Sequence, residues 1–129
     1  MAPLFGLTKI SVAGGKTIYL KRQVRGLNYD ELAISANGNL CTPADSDTDY
    51  IYREQGPFLV FYSVSNGQLT IYNNAPLSEP RYDIPGVKVV VKTLSQPDYF
   101  ELERSFAKQG ITKITEVPVD LNSGKNCGT

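Results

Sequence analysis

Two β-rich runs meet at Asn66-Gly67, and no other stretch of the chain restricts its fold as strongly. Phe58 to Val64 is aromatic, β-branched or apolar except for Ser63, and Gln68 to Tyr72 resumes that character after Ser65-Asn66-Gly67. A tight primed turn needs positive φ at both central positions. Asparagine tolerates the left-handed region, and glycine has no Cβ to clash there. The pattern predicts a β-hairpin. Its first arm is apolar at nearly every position, so it is expected inside a sheet with both faces covered.

The flanking segments extend the same reading. Leu7–Val12 and Thr17–Val24 form a first hairpin around a turn at Ala13–Lys16. Gly14-Gly15-Lys16-Thr17 has the ending of a phosphate-binding loop. However, Ile10 stands where that loop needs an earlier glycine, and a strand follows where it needs a helix, so a plain turn is expected. Arg25–Glu31 reads as a polar bend and Leu32–Ser35 as a short strand. Asn37-Gly38 is expected to repeat the hairpin turn, with Leu40-Cys41 opening its partner strand. Asp49–Glu54 reads as a strand with Tyr50 and Tyr52 on one face and Ile51 on the other. Gln55-Gly56-Pro57 is then expected to lead directly into the Asn66-Gly67 hairpin as a three-stranded meander.

Residues 73–86 form the longest irregular stretch, and Pro76, Pro80 and Pro85 deny it ladder hydrogen bonds. Leu77, Tyr82 and Ile84 are expected to pack it over one end of the core, and a protruding contact loop is the alternative. Val87–Leu94 is another strand. One helix is predicted over about residues 96–109. Ser95 caps it, Pro97 suits its first turn, and Asp98 lies at its positive end. Tyr99, Leu102 and Phe106 line one face with Phe100 at the margin, and Gly110 closes the helix. Ile111–Leu121 carries Pro118 inside a β-pattern, which marks an edge strand or a kink.

The expected fold is therefore α+β and predominantly β. A mostly antiparallel sheet, open barrel or sandwich of about eight short strands carries one packed helix. A chain of 129 residues is expected to make a single domain over residues 1–129. Its 41% hydrophobic and 20% charged residues describe a folded globule, not a disordered chain.

Composition also narrows function. Thirteen basic and thirteen acidic residues cancel, which removes the long-range attraction that nucleic acid or an anionic membrane would require. No run suits a membrane-spanning helix, and Met1–Leu7 lacks the basic start of a signal peptide. No histidine is present, which excludes His-based triads and the commonest neutral-pH acid–base catalyst. Asp45, Asp47 and Asp49 alternate as at the start of a calcium loop. Tyr50 then replaces that loop's glycine and Gly56 its bidentate glutamate, so a solvated acidic loop is expected. Cys41 and Cys127 sit in polar, loop-like settings and are expected to form a disulfide, which points to a secreted or periplasmic location.

Eight tyrosines, the Pro-rich loop and the cysteine pair favour a non-enzymatic binding protein, an exported inhibitor or immunity-type protein whose partner is another protein. Arg81, Tyr82 and Asp83 on the loop, with Tyr50 and Tyr52, are the expected binding residues. No catalytic residue, cofactor or metal is expected. Two alternatives are carried: a structural or assembly subunit that self-associates through a strand edge, and a carboxylate-based hydrolase. The segment to residue 29 is basic and residues 30–54 are mostly acidic; the imbalance has meaning only if the two regions lie apart.

Overall fold

A computed structural model describes residues 3–12, 14–26, 29–52, 60–115 and 117–127. Among the described residues, eight strands form two four-stranded sheets. The first sheet is an antiparallel meander of β1 (Leu4–Val12), β2 (Lys16–Arg25), β3 (Tyr29–Ser35) and β4 (Tyr50–Tyr52). The second has the order β7-β6-β5-β8, with β5 at Val60–Ser65, β6 at Gln68–Asn73, β7 at Lys88–Thr93 and β8 at Thr112–Ile114. The α+β, predominantly β architecture is as the sequence predicts, in the form of a sandwich with a helix on one side.

The predicted hairpin is β5–β6. Asn66 and Gly67 take φ of 50° and 76°, and Phe61 pairs with Tyr72 across the ladder. Its two faces have different partners. Val60, Leu69 and Ile71 join Ile10, Val12, Ile18, Leu20, Leu32, Ile34, Tyr50 and Tyr52 of the first sheet in one buried cluster. Phe61, which is completely buried, points the other way and packs with Leu102, Ile111, Tyr99 and Phe106. Tyr99 meets the Phe61 ring edge-on with centroids 5.6 Å apart.

That second cluster is roofed by α1 (Gln96–Ser105). Ser95 accepts a hydrogen bond from the Asp98 amide at its start, as expected. The predicted helix splits at its end, since Phe106–Gln109 tightens into a 3-10 turn before Gly110 closes it at φ 70°. Phe100 is half exposed and faces away from the core, because only Leu102 of α1 is fully buried.

Three expectations need correction. β3 begins at Tyr29, so most of the predicted bend after Arg25 is already strand. Asn37-Gly38 makes no hairpin. Asn37 Oδ1 accepts from the Asn39 amide and Asn39 Oδ1 from the Cys41 amide, so these side chains turn the chain locally. Gly38 instead lies flat on a ring, where an added Cβ would stand 2.5 Å from Tyr19 Cζ. β4 pairs with β3 and not with β5, so the predicted meander through Gln55–Pro57 does not exist; residues 55–57 themselves lie outside the described residues. The pairings are mostly antiparallel, as expected, but β7 runs parallel to β6. Parallel neighbours need a crossover of about a dozen residues or more, and the Pro-rich stretch provides it.

The C-terminal segment ties the sheets together. After β8 the chain leaves the second sheet and runs along the outer edge of β1, where Asp120 bridges Phe5. Gly6 permits this approach, since a Cβ there would lie 2.0 Å from the Pro118 carbonyl oxygen. Arg22 grips the Asp30 carboxylate at 3.0 and 2.8 Å and donates to the Val117 carbonyl at 3.0 Å. The basic and acidic regions thus adjoin and partly neutralise each other. Ser123, opening α2 (Ser123–Asn126), accepts from the Phe5 amide and donates to the Asp120 carbonyl, each at 2.7 Å. Cys127 then joins Cys41 in a disulfide across a separation of 86 residues. On the chain-entropy view a loop of that size contributes about 4–5 kcal/mol.

Burial holds the hydroxyls of Tyr52, Tyr99 and Tyr50 above the ordinary tyrosine range, with Tyr99 beside Tyr52, Glu103 beside Tyr99, and Glu79 and Asp83 near Tyr50. The folded chain keeps these protons when the unfolded chain begins to release them at about pH 10. Their contribution is therefore complete below that pH and is lost as pH rises through the folded values. Urea midpoints measured between about pH 9 and 12 are expected to fall steeply, with late tyrosinate absorbance appearing together with unfolding.

Candidate protein-binding surface on the crossover loop

Residues 74–87 connect β6 to β7 and are pinned at short intervals. Asn73 holds the first turn, its side chain accepting from the Ala75 amide at 3.0 Å and donating to the Ala75 carbonyl. Ser78 exchanges backbone hydrogen bonds of 2.9 and 2.8 Å with Ile51 and so covers the open edge of β4. The Tyr82 amide donates to the Asp47 carbonyl at 2.9 Å. Ile84 and Val87 are buried, and Ala75 and Leu77 pack half-buried against the same cluster.

Packing and protrusion therefore coexist in this loop. Leu77 and Ile84 point inward as expected, whereas Tyr82 does not and is 56% exposed. The Arg81 guanidinium lies 5.4 Å from the Tyr82 ring centroid, and Asp83 follows at the surface. Stacking of this kind orders two long side chains on an already fixed backbone, which lowers the entropy they would lose on binding. Tyr50 and Tyr52 lie elsewhere. They point into the core at 6% and 2% exposure, away from the loop tip. Of the five expected binding residues, the structure thus brings Arg81, Tyr82 and Asp83 to one exposed tip.

The acidic loop lies beside this tip. Asp49 is buried and acts as a local brace, accepting from the Asp45 amide at 2.9 Å and the Thr48 hydroxyl at 3.1 Å. Asp45 accepts from the Asp47 amide at 2.9 Å. Two of the three alternating carboxylates thus serve backbone N–H groups of their own loop. Among the described residues no three acidic, cysteine or histidine side chains gather as metal ligands would. A cleft of about 420 Å³ separates the two loops and is lined by Ser35, Asp45, Thr48, Asp49, Asp83 and Ile84, among others.

Lys21 was not singled out by sequence reasoning, because a lysine in a strand reads as solvent-facing. It lies on the outer face of the first sheet beside Ala33, only 6% exposed, and among the described residues its Nζ has no hydrogen-bond partner. Burial lowers its pKa, and the Asp49 carboxylate opposes that shift only in part. The small Ala33 beside it was the available signal, since it leaves room for a long stem on a covered face.

Comparison with protein-family models, with curated proteins and with solved structures finds no match. Function must be argued from the surface itself.

A buried ammonium without a partner costs stability, and methionine of similar length removes the charge. Lys21→Met is expected to raise the unfolding free energy at pH 7 by about 1 kcal/mol. The folded lysine has the lower pKa, so its penalty applies below that value and is relieved as pH approaches 10.5. The gain measured by urea denaturation should shrink over that alkaline range. Destabilisation at pH 7 would mean that the charge on Lys21 is needed.

Proposed function

We propose that this chain is a non-catalytic binding protein, an exported inhibitor or immunity-type protein that engages a target protein through the Arg81–Asp83 tip and the neighbouring sheet edge. The observation that carries the reading is the contrast within the crossover loop. Its side chains at the tip are exposed, while its backbone is fixed on both sides at Ser78, Tyr82, Ile84 and Val87. A rigid scaffold presenting a tyrosine and an arginine is the composition from which binding hot spots are made. The disulfide suits an oxidising compartment, which supports the exported location. Asp45 and Asp49 beside the tip each accept from a backbone N–H of their own loop, which weakens the case for the hydrolase alternative.

The test begins with capture of the target by the intact protein from its native source and identification by mass spectrometry. Replacing Arg81, Tyr82 and Asp83 together by alanine is expected to weaken that complex by about 30-fold or more. The melting temperature should stay nearly unchanged, because none of the three side chains is buried. Unchanged affinity for the captured target would remove the loop tip from the interface.

A further inference from the structure

The edges of the two sheets differ in how they are protected. Asp120 bridges β1 and Ser78 bridges β4, and β8 is only three residues long. The edge of β7 is six residues long, and no bridge covers it among the described residues. The Lys88 amide donates to Gly67 and the Leu94 amide to Asn73, so the even-numbered positions of this strand direct their backbone groups at β6. Alternation along the strand turns the N–H and C=O groups of Val89, Val91 and Thr93 outward. Among the described residues nothing hydrogen-bonds to them from that side.

We propose that this edge takes an extended segment of a partner protein with alternating acidic and apolar residues, as a fifth strand of the second sheet. Main-chain hydrogen bonds at Val89, Val91 and Thr93 supply affinity, and the side chains on either face supply selectivity. On the core side, Val89 lines a cleft of about 570 Å³ that also includes Tyr50 and Asp83–Lys88. Val91 and Thr93 line a second of about 570 Å³ with Asn73–Leu77 and Glu79. Alternate apolar side chains of an added strand enter these clefts. On the opposite side Lys88 and Lys92 are exposed, with Lys92 Nζ 5.7 Å from the Tyr72 ring centroid. They select carboxylates at the intervening positions.

The same lysines argue against a second copy of this chain. Antiparallel pairing of two β7 edges about Val90 matches all three valines but sets Lys88 directly against the second copy's Lys92. Like charges placed so are destabilising, and lysine on an edge is a recognised guard against self-pairing.

The proposal rests on the protein-binding reading above but not on the loop tip, and the test separates the two. The probe is a short synthetic peptide of alternating glutamate and valine, added to the full-length oxidised protein, with a lysine–valine peptide as control. Saturable binding of the acidic peptide is expected, with slowed amide exchange at Val89, Val91 and Thr93. Lys88→Glu with Lys92→Glu is expected to weaken it by about tenfold or more and to favour the basic peptide. Val91→Pro removes one outward N–H at an edge where proline is tolerated, and should abolish binding without unfolding the chain. A loop-tip variant with only Arg81 and Tyr82 replaced by alanine should bind the peptide as before, since neither residue lines the two clefts. Equal binding of both peptides, absence of protection at Val89 and Val91, or loss of binding in the loop-tip variant alone would overturn the proposal. Concentration-dependent protection of this edge without peptide would assign it to a second copy instead.

Discussion

The second sheet has to bury both of its faces, and the rest of the molecule is arranged around that need. Val60, Leu69 and Ile71 look toward the first sheet, while Phe61 looks toward α1. Full burial of an aliphatic or aromatic side chain contributes about 1.5–3 kcal/mol. A domain retains only about 5–15 kcal/mol in total. Neither cover can be lost without losing the fold. The β5–β6 hairpin is thus a shared wall between two cores, and the first sheet, the helix and the C-terminal segment are held in place by what they cover.

This constraint also decides where the molecule can meet others. With both faces of the second sheet covered, its exposed resources are its edges and the loops that connect it. The crossover from β6 to β7 runs over the open edge of the first sheet and closes it through Ser78. In doing so it carries Arg81–Asp83 to the surface on a backbone that cannot readily move. The segment from Val117 to Cys127 does the same at the opposite edge. There it trades hydrogen bonds with Phe5, receives Arg22 at the Val117 carbonyl and ends in the disulfide to Cys41. Each connection seals an edge, and the crossover also displays the Arg81–Asp83 tip.

How much of this was legible depends on whether the signal was local. The Asn66-Gly67 turn, the Ser95 cap and the Gly110 closure each follow from the conformational needs of one or two residues, and the structure has all three. The disulfide was legible because two cysteines in polar settings have few other fates. Assignment of strands to sheets was not legible. β4 is as plausible beside β5 as beside β3, and only burial of Tyr50 and Tyr52 against both sheets settles it. Nor was the parallel pairing of β6 and β7, since the length of the connection permits it without requiring it. Asn37-Gly38 carried the same dipeptide as the real hairpin, yet Gly38 served a close approach to Tyr19. At the surface, Tyr82 and Ile84 looked alike as loop apolars. Ile84 is buried in the core while Tyr82 is exposed, on a backbone fixed at Tyr82 by Asp47.

Native-state amide hydrogen exchange tests the shared-wall account most directly. The amides of β5 and β6 that pair with each other, around Phe61–Val64 and Leu69–Tyr72, should be the slowest in the protein and should exchange only on global unfolding. If these amides instead open while the β1–β2 hairpin remains protected, the second sheet is not the element that the two cores share, and the account fails.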